Sequence, residues 1–258
     1  ACAEASCCDA SSVQDAEEAV IELEELEEPP AGQPRGDAPC LQLQGVCVRP
    51  PGRSEGFLVQ GVSLTVDYGD SLIIRGPSGV GKSTLLRAIC GLWLSGEGSI
   101  KRPAIKRCFF APQAPYLCLG TLRNNVMYPL AGDGKEGDVD GSDQKVISCL
   151  EKVGIGYLAE RHGLDEVFNF DAILSGGEKQ RFGFARLLMR DNVDLAVMDE
   201  STSALDVATE DKVYGLLKAH VRSFVSVGHR TRLDEFHTHR LDLDVGAGGH
   251  ARAALRRL

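Results

Sequence analysis

Along the chain the spacing of apolar residues shifts between strand-like and helix-like periods. Leu41–Val48 and Val62–Val66 alternate enough to form strands, and Ser71–Arg75 reads as a short buried strand. Ser99–Lys101 and Cys108–Ala111 are further short strand candidates. Leu195–Met198 is fully apolar and ends in Asp199-Glu200, with further strands expected at Phe224–Val227 and near Leu241–Leu243. Helical patterns follow at Leu85–Cys90 and at about 143–153, 177–190 and 207–219. Strands alternating with helices predict an α/β fold with a largely parallel sheet. Residues 131–142 are rich in Gly and Asp and read as a surface loop. Ahead of the body, Gln14–Glu28 is acidic, with apolar residues at Ala16, Ala19, Val20, Leu23 and Leu26; that spacing predicts a helix, stopped by Pro29 and Pro30. The Pro/Gly-rich stretch 29–39 reads as a linker, so the expected division is 1–40 for a connector and 41–258 for the globular domain.

Charge sharpens that division. The first 40 residues hold eleven Asp/Glu against Arg35 alone, a balance of −10 in a total of −9, which leaves residues 41–258 at +1. An acidic tail on a neutral body argues against a nucleic-acid-binding surface. The acidic helix is either a solvated tether or a contact for a basic partner. The 258 residues are 43% hydrophobic, enough for a core, and no run approaches 18 apolar residues. Nine cysteines are scattered without a C-x-x-C pair, the usage of buried free thiols in a reducing compartment. The chain shows no secretory signal peptide and opens on Ala1, as a piece of something longer would.

The stretch Gly76-Pro77-Ser78-Gly79-Val80-Gly81-Lys82-Ser83-Thr84 matches the phosphate-cradling pattern G-x-x-x-x-G-K-[ST], between the expected strand and helix that the motif needs. Its glycines let backbone N–H groups turn inward on phosphate oxygens, and the helix beginning near Lys82 adds its N-terminal dipole. Lys82 would reach the β- and γ-phosphates, and the Ser83 hydroxyl would ligate Mg²⁺. Asp199, at the end of its apolar strand, would hold the same Mg²⁺. Glu200 directly after it can orient and deprotonate a water in line with the γ-phosphate.

Leu174-Ser175-Gly176-Gly177-Glu178-Lys179-Gln180-Arg181 is the most specific stretch, and here the sequence resembles the nucleotide-binding domain of an ABC (ATP-binding cassette) transporter. The resemblance covers residues 41–245. It implies a P-loop cassette: a RecA-like core sheet, an antiparallel β subdomain and a helical subdomain at about 113–190. In that family the signature loop, here Ser175, Gly176, Gly177 and Glu178, binds the γ-phosphate of ATP held by a second cassette. Gln113 matches the Q-loop glutamine, contacting Mg²⁺ and the attacking water and reporting to the membrane domain. Ser203-Ala204-Leu205-Asp206 matches the D-loop, in which Ser203 and Asp206 lie at the crossing to the partner cassette. His229 matches the switch histidine, which would hydrogen-bond the γ-phosphate and fix Glu200.

Finer features look like subfamily D, the peroxisomal half-transporters: Gly91-Leu92-Trp93, Pro112–Tyr116, Gly120–Arg123 and Tyr128-Pro129. Ser226–Arg230 with Phe236-His237 looks more like the cobalamin-linked, bacterial and plastid relatives. The resemblance implies ATP and Mg²⁺ as cofactors, a second cassette in a homo- or heterodimer, and a transmembrane domain on the same or a partner chain. The domain would face the cytosol or plastid stroma, at a peroxisome or plastid, and the cargo would be a fatty acyl-CoA, a fatty acid or a similar amphipathic molecule. Two departures stand out. Pro50 occupies the place where most cassettes stack an aromatic on adenine, with Phe57 the only aromatic nearby, and Phe168 and Phe170 stand where subfamily D often has Trp. The rival reading is a soluble ABC ATPase of translation or DNA repair. The first kind carries two cassettes per chain; the second carries long insertions, whereas Lys82 and Ser175 lie only 93 positions apart. A non-catalytic regulatory cassette is a third reading, opposed by the presence of Glu200, His229 and Ser175.

Overall fold

Strands buried on both faces form the centre of the molecule. A computed structural model describes residues 19–27, 38–50, 56–129, 142–246 and 251–258. In chain order, β1 (Glu22–Glu25), β2 (Pro39–Val48), β3 (Val59–Asp67) and β4 (Ser71–Arg75) precede α1 (Lys82–Ile89). Then come β5 (Gly96–Arg102), β6 (Cys108–Ala111), β7 (Leu119–Thr121) and α2 (Leu122–Met127). The helical part continues with α3 (Asp143–Lys152), α4 (Tyr157–His162), β8 (Val167–Asn169), α5 (Phe170–Ile173) and α6 (Gly176–Met189). The chain closes with β9 (Leu195–Asp199), α7 (Val207–His220), β10 (Ser223–Val227), β11 (His239–Val245) and β12 (Ala251–Arg257).

Ten strands form one sheet in the order β1-β5-β2-β3-β12-β11-β4-β10-β9-β6. From β11 to β6 every pairing is parallel, while β2 pairs antiparallel with both β3 and β5. Every residue of β4, β9 and β10 is buried. Ile73, Ala196, Met198 and Phe224 point into the core shared with the helical part. Leu72, Ile74, Leu195, Val197, Val225 and Val227 point into the core on the other face, with Leu85 and Leu86 of α1. Two covered faces are why these strands read as continuous apolar runs, whereas β3, covered on one face, alternates.

The N-terminal reading is corrected. Of the segment read as an acidic helix, residues 14–18 and 28 lie outside the described residues, as does most of the linker. Glu22–Glu25 is not helical; it is a strand pairing parallel with β5, from Glu22 opposite Ser99 to Glu25 opposite Arg102. Ile21 is buried and Leu23 packs on the core, with Glu22 and Glu24 between them facing out. The edge of β5 decides between the two periods. Its backbone groups find partners in this segment, Ile21 N–H donating to Leu94 O at 2.8 Å and Leu26 N–H to Arg102 O at 2.8 Å, and Lys101 meets Glu24 at 2.6 Å. The sheet therefore begins before residue 41. The loop expected at 131–142 lies outside the described residues except Ser142, which caps α3. The C-terminal strand β12 was not expected; it pairs with β11 along seven positions.

Ile21 tests this correction. Ile21→Ala should cost about 2–5 kcal/mol of unfolding free energy in urea titration, the ordinary loss for a buried Ile. A free tether would lose nothing measurable.

Candidate functional site

Between β4 and α1 the chain turns through Gly76 and Gly81, both at positive φ (149° and 106°). A Cβ on Gly76 would lie 2.3 Å from Leu243 O, and one on Gly81 would lie 2.6 Å from Val59 Cγ2, so neither place admits a side chain without movement. Gly81 caps α1 with no side-chain hydrogen bond, leaving first-turn N–H groups for another acceptor. Lys82 is buried and folds back over the loop, its Nζ donating to Gly76 O and Pro77 O, both at 2.9 Å. An ammonium satisfied only by carbonyls retains its full charge for a phosphate.

Ser83 Oγ donates to Asp199 Oδ1 at 2.8 Å, joining this loop to the end of β9. Burial pushes the Asp199 carboxyl above its ordinary value; the Ser83 hydrogen bond opposes this and the neighbouring Glu200 adds to it. The next residue, Glu200, has a positive φ of 47°, unusual for a residue with a side chain. Its carboxylate is held from two sides. Protonated at Nε2, His229 donates to Oε1 at 2.9 Å, and Gln113 Nε2 donates to Oε2 at 3.3 Å. Gln113, Asp199, Glu200 and His229 therefore lie together, with Ser83 and Lys82 beside them.

The signature residues are placed differently. Ser175 caps α6 in a capping box: Ser175 Oγ accepts from Glu178 N at 3.3 Å, and Glu178 Oε2 accepts from Ser175 N at 2.7 Å and from its hydroxyl at 2.6 Å. Tyr157 adds a hydrogen bond to Glu178. Ser175 and Gly176 are exposed, and Gly177 packs beside Ala204 O. Among the described residues, no hydrogen bond joins Ser175–Glu178 to Gly76–Thr84 of the same chain. Asp206 caps α7, accepting from Thr209 N at 3.0 Å and from its hydroxyl at 2.7 Å. Near the expected base position, Pro50 offers no aromatic ring, and Phe57 has the Arg49 guanidinium 5.1 Å above its centroid. Phe168 and Phe170 pack on His162, in the helical part.

Sequence reasoning missed three residues. Gln180 and Arg230 hold the backbone around Glu200 and Ser203. Arg75 donates to the carbonyls of His229, Arg230 and Thr231, at 3.2, 2.6 and 3.3 Å. Their signal in the sequence was adjacency alone, each lying inside or next to a recognised motif.

A family model described as ABC transporter matches residues 59–203. The chain belongs to the ABC transporter family. It is an ABC-type ATP hydrolase domain. It is 44% identical over 210 residues to an uncharacterized ABC transporter ATP-binding protein of Synechocystis sp., covering 81% of this chain and 30% of that protein. It is 37% identical to ABC transporter D family member 2, chloroplastic, of Arabidopsis thaliana, covering 73% of this chain and 32% of the relative. It is 38% identical to the lysosomal cobalamin transporter ABCD4 of Homo sapiens, covering 85% and 36%. The chain thus spans about a third of the length of these relatives. In three dimensions it resembles a bacterial Atm1-family ABC exporter with ATP bound, with a TM-score of 0.67 and 27% identity, covering 83% of this chain and 38% of that one. Two of these relatives are named as members of subfamily D.

The raised Asp199 carboxyl has a measurable consequence. The folded chain binds that proton more tightly than the unfolded chain, so this group lowers stability as pH rises above the ordinary value of 3.8. Asp199→Asn should raise the thermal midpoint of the nucleotide-free ABC domain at neutral pH, with the gap closing on acidification. It should also abolish the further rise on adding Mg-ATP. An unchanged midpoint at pH 7 would contradict the cost assigned to Asp199.

Proposed function

We propose that this ABC domain powers a half-transporter by hydrolysing ATP at a site shared with a second copy or a related cassette. The observation that carries the proposal is the Glu200 carboxylate held between His229 and Gln113 beside the Ser83–Asp199 pair. Gly76–Thr84 would cradle the phosphates, with the Lys82 ammonium on the β- and γ-phosphates. The donor set fits Mg²⁺: the Ser83 hydroxyl, the Asp199 carboxylate and the Gln113 amide oxygen are hard ligands. Mg²⁺ bound there would neutralise charge on the phosphate oxygens. Glu200 would take a proton from the attacking water, and His229 would keep that carboxylate aimed and donate to the γ-phosphate. The exposed Ser175–Glu178 loop would reach the ATP of the partner, with Ser203 and Asp206 at the crossing.

An apolar cavity of about 340 Å³ supports a membrane-domain partner. Phe110, Pro115, Tyr116, Tyr128 and Arg186 line it, directly beside Gln113. Arg186 is buried between the Tyr128 and Phe182 rings, with Nη2 lacking a hydrogen-bond partner. A helix end or carboxylate from the transmembrane domain would satisfy it. No helix among the described residues is long and apolar enough to cross a membrane, so membrane attachment would come through that domain. From the subfamily D resemblance, the cargo would be a fatty acyl-CoA, a fatty acid or a similar amphipathic molecule, with the domain facing the cytosol or plastid stroma at a peroxisome or plastid; of the relatives, one is named chloroplastic and another a lysosomal cobalamin transporter.

Glu200→Gln should keep ATP binding and lose turnover by roughly 10²–10⁴-fold, the worth of a positioned base. Lys82→Ala should instead weaken binding. Sedimentation gives the assembly test. The Glu200→Gln chain should dimerise with Mg-ATP, and adding Ser175→Arg should abolish the dimer. Equal dimerisation of the two would show that the signature loop is not part of a shared site.

With no aromatic ring at Pro50 and Phe57 engaged by Arg49, the base is weakly read. ATP and GTP affinities should lie within about tenfold, or about 1.4 kcal/mol. A hundredfold preference for ATP in a competition titration would overturn this.

A further inference from the structure

Gln180 lies one turn into α6 and is almost fully buried, yet none of its polar contacts serves the core. Its Nε2 donates to Gln113 O at 3.3 Å, Glu200 O at 3.3 Å and Ser203 Oγ at 3.0 Å. Its Oε1 accepts from Ala204 N at 2.8 Å. All four partners belong to loops of the ATP site. The amide has one workable orientation, because turning it over would set Oε1 against the Gln113 and Glu200 carbonyl oxygens and Nε2 against the Ala204 N–H. Glu200 O, the carbonyl of the residue at positive φ, takes only one other hydrogen bond, from Ser203 N at 3.1 Å.

The same loop is gripped from its other side. Arg230, next to His229, donates to Ser203 O at 3.4 Å and Leu205 O at 2.9 Å, and its guanidinium is anchored 2.9 Å from the buried Glu210 carboxylate. Residues 203–205 thus sit between α6, which carries the signature loop at its start, and the switch loop, which carries the histidine on Glu200.

We propose that Gln180 is a positioning residue for ATP turnover, tying the signature helix to the Glu200 backbone and to the 203–205 loop. The loop this chain offers to a second cassette and its own water-activating carboxylate then move as one body. A shift of α6 on engaging the partner's ATP reaches Glu200 through one amide, and Arg230 sets the opposite wall of the same clamp. The hydrogen bonds of Gln180 all go to residues outside the phosphate loop, so its loss acts on kcat and leaves that loop intact. The proposal rests on the shared-site function above.

The test compares wild type, Gln180→Met, Gln180→Glu, Arg230→Lys and Glu200→Gln. Each is followed by steady-state ATP hydrolysis, binding of a fluorescent ATP analogue and thermal midpoint. Met keeps length and burial but has no amide; Glu puts an oxygen where the donor stood; Lys keeps the charge but gathers its donors on one atom, so it cannot span Glu210, Ser203 O and Leu205 O as the guanidinium fork does. Gln180→Met should leave KM and analogue binding within about twofold and lower kcat by about 10- to 100-fold, the scale of a small misplacement. Gln180→Glu should be lower still, and Arg230→Lys should fall in the same direction. A Gln180→Met kcat within twofold of wild type, while Glu200→Gln is inactive, overturns the positioning role and leaves the site assignment standing. So does a loss that tracks analogue binding and thermal midpoint across the series. If Glu200→Gln turns over ATP like wild type, the shared-site function itself fails, and the clamp with it.

Discussion

Four neighbouring parallel strands, β4, β10, β9 and β6, run in one direction, and everything in the ATP site depends on that. Gly76 follows the end of β4, His229 the end of β10, Asp199 and Glu200 the end of β9, and Gln113 the end of β6. Residues more than 100 positions apart are brought to one edge because each lies just beyond a buried strand. Ligands in open α/β sheets bind at the carboxyl ends of the strands, where helix N-termini also point. Burial of β4, β9 and β10 on both faces fixes their register, and register fixes which side chains meet. The Ser83–Asp199 hydrogen bond and the Glu200–His229 pair follow from it.

That arrangement is held at a cost to the resting fold. Asp199 carries a buried charge, and Glu200 holds a left-handed backbone of the kind that accumulates at functional sites. Arg186 keeps a buried nitrogen unpartnered beside an apolar cavity. In the proposed function each would be met by a group from outside the chain: a divalent cation with phosphate, a nucleophilic water, a partner helix. Lys82 hydrogen-bonding its own loop carbonyls is the same situation at the phosphate seat.

Much of this was legible in the sequence, for a physical reason. The phosphate loop, the acidic pair after β9 and the signature at the start of α6 are local patterns whose geometry follows from strand, turn and helix chemistry within a few residues. What was not legible depended on contacts distant in sequence. Ile21–Glu25 fits a period of 3.6 and a period of 2 alike, and only the open edge of β5 chose between them. Ala251–Arg257 consists largely of good helix formers, Ala, Leu and Arg, yet the β11 ladder makes it a strand. Gln180 was visible as one letter in the signature stretch. Its role comes from the face of α6 it occupies and the two loops packed there.

In the proposed function the chain supplies half of each of two shared ATP sites: phosphate loop, Asp199 and Glu200 to one, Ser175–Glu178 to the other. The decisive measurement is a structure of the Glu200→Gln chain with Mg-ATP. Two chains should face each other, with each γ-phosphate between Lys82 of one and Ser175 of the other. ATP bound by a single chain, with Ser175 remote from any phosphate, would contradict it.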